Sequence, residues 1–530
     1  MNRANQIGLV VAGVALGATL VAMGVQLTST EAPAPTAPAR PAAKAKAKSK
    51  AKAEPTPTPP PFADRQTDQP NIVMIVACTL RQDMLTPYGG PEAASPFVAH
   101  MADNGALFEH AIDAAPWTKA ASTALMTGYH PVQLGMTEPA DHANRRRLSS
   151  EVTTLAEYLD DAGYETLGIT SNPNTSDTFG FHQGFDAYSQ PNKLWGQPGG
   201  TTKPTLRQLV DRALPRLDAR EDPSAPLYLR IMTIDVHEPI KATAFKTAPF
   251  EDLGLPPRVV AYLAMVRQLD TGMRHLWTEL NARGYTEENT VLVLVNDHGE
   301  GLRWPDVHGH GHGNHVQSTT VRMPWVLYGE GVAAGHRVGG MASQVDVLPT
   351  LLGLAGADTD YAGPGRDWSA QVRGEAPRTD RVSAYADTWF QKSSRAGVYT
   401  ETTACLHDFL DLAEQMGQER LLPRTACFDR VADPLQTQPV DLDQGLLDEL
   451  MAWREARVAD NEAWPHHEDI RVDDDLAAQL EALGYAQGDD LGDEPAHVAP
   501  PASKAKAKGK GKGKAKGKRG KGKRSKGKRR

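Results

Sequence analysis

A carboxylate and an imidazole placed side by side after an apolar run are the strongest chemical signal in this 530-residue chain. Asp297 and His298 follow TVLVLV (290–295) in the segment NDHGEG (296–301). One offers hard oxygen ligands and the other a borderline nitrogen, a pair suited to a divalent cation. The dipeptide alone is more commonly the start of a turn. Downstream, HGHGHGNH (308–315) sets His308, His310, His312 and His315 in a Gly-rich stretch, where histidines either bind metal or decorate a flexible loop. In PWTKAASTALMTG (116–128) a loop runs into a helix that starts near Thr118. A hydroxyl there lies beside backbone amides and the positive end of the helix dipole, which favour an oxyanion. Thr118 is then a nucleophile or, more commonly for such a position, an N-cap.

The elements that must carry these residues can be read from the same stretch. NIVMIVA (71–77), ETLGIT (165–170), LYLRIMTI (227–234) and TVLVLV (290–295) are short, apolar and β-rich. Helical patterns separate them: SPFVAHMADNG (95–105), with Ser95 as N-cap; VTTLAEYLDDAG (152–163); and a third from about Pro257 to Arg283. Strands alternating with helices predict a parallel α/β sheet covered on both faces. Each strand ends in polar residues: Cys78-Thr79, Ser171-Asn172, Asp235-Val236-His237 and Asn296-Asp297-His298. Ligands of open α/β sheets bind at the carboxyl ends of strands, so these four ends should converge on one site.

The formal net charge of −8 hides a strong asymmetry. Between 71 and 503 there are 33 basic and 61 acidic residues, a net charge of about −28, whereas 504–530 carries 16 Lys and Arg and no acid. An acidic body lies between basic, low-complexity ends. Three cysteines exclude a disulfide-rich scaffold and a four-cysteine zinc module. Residues 7–27 carry no charge and are long enough, at about 30 Å as a helix, to cross a bilayer. They read as an uncleaved anchor after a cytoplasmic segment 1–6, with a cleaved signal peptide as the alternative. Residues 28–70, rich in Ala, Pro and Lys, read as an extended tether. The tail within 488–530 reads as a disordered segment, adhering to anionic lipid or envelope polymer or serving solubility. No specific nucleic-acid partner is expected.

These residues, in this order, resemble the sulfatase family of the alkaline phosphatase superfamily over about 71–487. NIVMIVACTLRQDMLTPYG (71–89) is similar to the family's opening strand, usually I-V-x-D-T-L-R-x-D-x-L-x-x-Y-G. PWTKAASTALMTG resembles its nucleophile segment, and SNPNTSDTFGFHQGFDAY (171–188), IDVHEP (234–239) and NDHGEG resemble its site segments. HGNHVQSTTVRMPWVLYGEGV (312–332) aligns His312 with the family histidine, and VDVLPTLLGLAG (345–356) matches closely. ACFDRVADP (426–434) and LEALGYAQ (480–487) resemble the C-terminal subdomain.

The resemblance implies an alkaline-phosphatase-like central mixed sheet flanked by helices over 71–358, with a small C-terminal α+β subdomain within 359–487. It implies hydrolysis or transfer of a sulfate or phosphate ester assisted by a divalent cation. Asp297 and His298 become metal ligands, Thr118 the nucleophile, and His237 and His312 groups that bind the anion or protonate the leaving oxygen. Asp235 would orient His237. Asn172 and Lys119 join the substrate-binding set, although Lys119 also reads as a solvated helix residue.

The match departs from the family in two places. Cys78 stands where the family has a metal-binding Asp. A thiolate is a poor ligand for calcium, magnesium or manganese and a good one for zinc, so zinc is expected if Cys78 ligates. The formylglycine members require Cys or Ser at the nucleophile position, then Pro and Arg at offsets of two and four. Ala120 and Ser122 occupy those offsets here. Thr118 would therefore attack directly, as in the family's threonine-using transferases. The alternatives are an impaired relative that binds an anionic glycan or lipid head group, or a phospho-group transferase. Cys405 and Cys427 fall on two expected strands of the subdomain and pair if register and an oxidising, extracytoplasmic compartment allow.

Overall fold

The uninterrupted apolar run 72–77 has no polar face to offer water, so it suits a strand covered on both sides. In a computed structural model of the protein it lies in β1 (Asn71–Ala77), buried at every position. β1 pairs in parallel with β6 (Leu227–Thr233) on one side and β7 (Thr290–Asn296) on the other. β4 (Glu165–Thr170) adds in parallel to β6, and β5 (Ala187–Ser189) adds to β4 at the edge. Beyond β7 lie β8 (Trp325–Gly329), β2 (Ala106–Ile112) and β9 (His336–Ser343), giving the order β5-β4-β6-β1-β7-β8-β2-β9, while β3 (Arg146–Leu148) pairs apart from this sheet with His467–Asp469. β8 runs antiparallel to both of its neighbours. The expectation of a wholly parallel sheet fails there, and the mixed sheet holds.

The structure describes residues 69–137, 146–190 and 203–483, except 221, 241–243, 306–310, 376–380, 391–392, 411–421, 464–465 and 471. The expected anchor at 7–27, nearly all of the tether and the basic tail lie outside the described residues. No helix among the described residues is long and apolar enough to cross a membrane.

Side chains alternate across β1 with period two. Val73, Ile75 and Ala77 enter one core with α1 (Pro96–Asp103), α4 (Leu206–Asp218) and α5 (Pro257–Asn281). Ile72, Met74 and Val76 enter the other with Leu125 of α2 (Thr118–Thr127), Leu155 and Leu159 of α3 (Leu155–Asp161), and Leu348 and Leu351 of α6 (Val347–Ala355). Burying each large side chain of β1 contributes about 1.5–3 kcal/mol. That burial fixes the strand whose end carries Cys78.

Helix termini show how local signals compete with tertiary ones. Thr154 and Glu157 form a complete capping box at the start of α3, as the sequence favours. Ser95 does not cap α1; its hydroxyl bonds Thr86 instead. The cap comes from α5, where Asp270 Oδ1 accepts from the Phe97 and Val98 amides at 2.9 Å each. Burial pushes the Asp270 carboxyl up to about 6, although the two amides and the Arg274 and Arg267 charges pull it down.

An unfolded Asp titrates near about 4, so the folded state holds this proton more tightly. The stability linked to it is full below about pH 4 and is lost as pH rises through about 6. Asp270→Asn keeps an Oδ1 acceptor without the charge. Between pH 4 and 7.5, urea unfolding should show the wild type losing about 2 kcal/mol relative to Asp270→Asn. A pH-independent difference between the two proteins would remove the linkage.

The C-terminal part builds a four-stranded antiparallel sheet of β10 (Ala384–Phe390), β11 (Ser393–Tyr399), β12 (Thr403–Asp408) and β13 (Thr425–Asp429). Leu447 and Leu450 of α7 (Gln444–Ala463) cover Ala396 and Val398 on one face. Cys405 and Cys427 sit directly opposite one another in register and form a disulfide. α8 (Asp474–Ala482) then returns to the main body, where Leu476 and Leu480 pack in a cluster with Trp117 and Phe179. The chain's last described helix thus braces the residue that precedes Thr118.

Candidate active site

β4, β6, β1 and β7 are consecutive neighbours in the sheet and all parallel. Their carboxyl ends therefore emerge together, about 4.8 Å apart from strand to strand. The four polar strand ends meet as the sequence pattern required.

Cys78 leaves β1 at its centre. Thr79 then takes φ 60°, a left-handed conformation that costs a β-branched residue roughly 1–3 kcal/mol. Three contacts hold it there. Its amide donates to Asp297 Oδ1 at 3.0 Å, its hydroxyl to the Cys78 carbonyl at 2.7 Å, and its carbonyl accepts from Tyr262 at 2.6 Å. This turn locks the end of β1 to the end of β7. Just after β7, Gly299 is required: an added Cβ would lie 2.0 Å from the Thr319 carbonyl oxygen. The amides of Gly299 and Glu300 bond the carbonyls of Thr320 and Thr319 at 2.9 and 3.0 Å.

Thr118 is the first residue of α2, and the N-cap is Trp117, which provides no side-chain cap. The commoner N-cap reading of Thr118 is therefore set aside. Its hydroxyl turns to the strand ends instead: Oγ1 lies 3.5 Å from Cys78 Sγ, 3.3 Å from His298 Nε2 and 3.3 Å from Asn172 Nδ2. Asn172 also donates to Cys78 Sγ at 3.3 Å. Every residue of α2 is buried, so the helix that carries the hydroxyl is fixed in place by packing.

Cys78, Asp297 and His298 form a possible metal-binding group, with ligand atoms within 4.8 Å of one another and all three residues buried. Asp297 Oδ1 accepts from the amides of Thr79 and His298, at 3.0 and 2.8 Å. Asp297 Oδ2 is buried and accepts no hydrogen bond among the described residues; His298 Nε2 lies 3.5 Å away. His298 Nδ1 meets the Gly299 carbonyl at 2.9 Å, which fixes the tautomer and aims Nε2 at the group. The donor set of one sulfur, one nitrogen and one carboxylate oxygen fits a borderline divalent cation.

The three residues differ in their electrostatics, and a bound cation would have to offset what disfavours the Cys78 thiolate. Burial and then the Asp297 charge push the Cys78 thiol well up. Burial opposes the Asp297 carboxylate, but His298 and the Thr79 amide outweigh it and lower its pKa. Burial drives His298 down to about 4, leaving a neutral imidazole with a lone pair to give.

A second tier of histidines lies against the first. The His312 ring stands 4.5 Å from His298 and 5.1 Å from His237, centroid to centroid. His312 Nδ1 is 3.3 Å from Glu300 Oε2. Burial works against the Glu300 carboxylate, but His312 more than offsets it, and its pKa falls to about 2. His237 Nδ1 bonds the Glu238 carbonyl at 2.9 Å, and burial, then His312, keeps it neutral.

Two expectations need correction. Asp235 does not orient His237. Its carboxylate accepts from Thr233 Oγ1 and the Leu206 amide, at 2.5 Å each, and from Gln268 at 3.2 Å. It anchors the start of α4 to the end of β6. Lys119 is not a solvated helix residue: it is wholly buried, with Nζ 3.7 Å from the Phe179 ring centroid and 3.4 Å from the Arg146 carbonyl. Burial lowers its pKa well below the ordinary value.

His315 serves the scaffold through Thr320, at 3.3 Å, while His308 and His310 lie outside the described residues. Glu300 was missed by sequence reasoning. Its signal was its place three residues after Asp297 in the same segment. Gln344, which donates to the Asp297 carbonyl at 2.8 Å, carried no such signal.

A hydroxyl at a helix start, a possible cation group at the ends of β1 and β7, and two histidines beside it share one buried site. Residues 70–357 match the sulfatase family profile, more than half of the chain, and the chain belongs to the sulfatase family. The "Ulvan-active sulfatase" of Formosa agariphila is 24% identical over 59% of this chain and 67% of its own. The N-acetylgalactosamine-6-sulfatase of Rattus norvegicus is 25% identical over 54% of this chain and 62% of its own. The chain thus spans less than two thirds of that rat relative. Among solved structures, a phosphonate monoester hydrolase from Silicibacter pomeroyi shares the fold, with a TM-score of 0.56 at 15% identity, over 75% of this chain and 96% of its own. Members of this family are hydrolases, and they commonly use a divalent metal.

Proposed function

We propose that this chain hydrolyses sulfate esters of saccharides, with Thr118 as nucleophile and Cys78, Asp297 and His298 holding a zinc ion. The observation that carries this reading is the Thr118 hydroxyl. It caps nothing, heads a buried helix, and contacts two of the three candidate ligands. A zinc ion bound there would polarise the ester oxygens and make the threonine hydroxyl easier to deprotonate.

The chain's own residues account for the rest. Thr118 Oγ1 forms a bond to sulfur as the bond from sulfur to the sugar oxygen breaks; the threonine proton is released to water, and one proton is delivered to the departing oxygen. His312, held by the anionic Glu300, is placed to deliver it. His237, whose Nδ1 is committed to the Glu238 carbonyl, donates to the sulfate from Nε2 once the charge of the bound anion has drawn a proton onto the ring. Asn172 steadies Thr118 Oγ1 before attack. Water then cleaves the threonine sulfate, releasing sulfate and a proton and restoring the hydroxyl.

The reading places the body outside the cytoplasm on an anchor at 7–27. The Cys405–Cys427 disulfide supports an oxidising compartment. The substrate class rests on relatives named for ulvan and for N-acetylgalactosamine 6-sulfate.

The test is hydrolysis by the zinc-loaded protein of 4-nitrophenyl sulfate, with the matching phosphate and phenylphosphonate esters as parallel substrates. The expected result is turnover highest on the sulfate. Preference for a phosphorus ester would overturn the sulfate reading and favour a phospho-group enzyme. Saturable sulfate binding without turnover would favour an impaired relative.

A further inference from the structure

A second cavity lies beyond the opposite end of α2 from Thr118. It encloses about 330 Å³, within the lower range of small-molecule sites. Its wall takes Arg366 and Arg381 from the body, Arg457 and Trp453 from α7, Tyr385 from β10, and His130 from the segment after α2. α2 is ten residues long, which separates this end of the helix from the catalytic end by about 15 Å.

Three features give the cavity a chemical character. Three arginines converge there in a body of net charge about −28, and among the described lining residues Glu449 is the only acid. Glu449 is occupied by the Tyr385 hydroxyl, and Arg381 is braced from behind by buried Asp346. The Arg457 guanidinium meets Asp460 at 3.3 Å, and that carboxylate is largely exposed. A screened surface pair of this kind releases its arginine at little cost. Next, His130 is 6% exposed, and its Nδ1 has no hydrogen-bond partner among the described residues. Burial, then the charges of Arg381 and Arg457, push its imidazole down to about 3, so both arginines act on the ring. Last, Tyr385 and Trp453 stack at 4.5 Å with their planes 3° apart, and His130 meets the Trp453 ring edge-on at 5.1 Å. The pair forms a rigid aromatic wall beside the charges.

Guanidinium groups recognise oxyanions through paired N–H donors, and a flat aromatic wall accepts the apolar face of a sugar ring. We propose that this cavity is a second, non-catalytic binding site for a sulfated sugar residue. It would hold one anionic residue of a polymer on the face formed with α7 while another residue is presented to Thr118. The inference deepens the saccharide-sulfate reading, but binding here needs no turnover.

The experiment uses the full-length Thr118→Ala protein, which removes hydrolysis without altering the cavity. Calorimetry and tryptophan fluorescence would be recorded with galactose 6-sulfate, galactose and inorganic sulfate as three separate probes. Galactose 6-sulfate should bind saturably and quench fluorescence, inorganic sulfate more weakly, and galactose not detectably. Adding Arg366→Gln and Arg457→Gln together should weaken the binding that quenches Trp453 by about tenfold or more. Trp453→Phe should remove the quench while circular dichroism stays unchanged. In the Thr118-containing protein, the same arginine pair should leave 4-nitrophenyl sulfate turnover intact.

Binding of galactose 6-sulfate unaffected by a folded Arg366→Gln/Arg457→Gln protein would overturn the site. Equal binding of galactose would overturn its anionic character. If 4-nitrophenyl sulfate is not cleaved but the arginine-dependent quench is present, the catalytic reading fails and this one stands.

Discussion

Replacing Thr118 with alanine is expected to lower sulfate-ester turnover by about three orders of magnitude or more, with the fold unchanged. A covalent mechanism has no step that survives loss of its nucleophile, and the residual rate comes from binding and electrostatics alone. The structural cost should be small. Oγ1 caps no helix, and of the Cys78, Asn172 and His298 groups around it, Asn172 also donates to Cys78 Sγ. Thr118→Ser keeps the hydroxyl and should retain turnover to within about tenfold. Steady-state kinetics on 4-nitrophenyl sulfate separates these outcomes. Alanine activity within tenfold of wild type would mean that another group attacks.

The second large effect belongs to Cys78. Its sulfur lies in a buried set with Asp297 and His298 where the family pattern has a carboxylate. Cys78→Ala should weaken zinc binding by at least about a hundredfold, since a three-ligand site becomes a two-ligand one. Cys78→Asp should do something different. It replaces a soft ligand with a hard one in the same place, so zinc retention should fall while calcium or magnesium begins to support turnover. Metal-dependence curves of kcat for the two variants would show whether the thiolate sets the metal. Identical curves for Cys78→Asp and wild type would show that it does not.

Much of this centre was legible because strand ends carry their signal in the sequence. A largely apolar, β-rich run followed at once by polar residues marks both a buried strand and the place where the chain leaves the sheet. Four such runs gave Cys78, Asn172, His237 and Asp297, and the structure sets their strands side by side. β2, β8 and β9 were harder to read. β9 contains Gly339 and Gly340, and β2 is interrupted by Glu109 and His110, so neither shows a clean apolar run.

The errors at single residues share a cause. Lys119, Asp235 and Ser95 each have a side chain whose local reading is ordinary. What decides their role is a partner far away in sequence: Phe179 for Lys119, Leu206 and Gln268 for Asp235, and Asp270 at the start of α1 in place of Ser95. Spacing along the chain holds no trace of such contacts. Glu300 was within reach, because its motif was already in view.

The most direct test of the central claim is the metal content of the full-length protein, purified without a histidine tag or chelator and measured by elemental analysis. The account predicts about one zinc per chain, lost in Cys78→Ala and retained in Thr118→Ala. No zinc, calcium, magnesium or manganese above background, even after incubation with each, would contradict it.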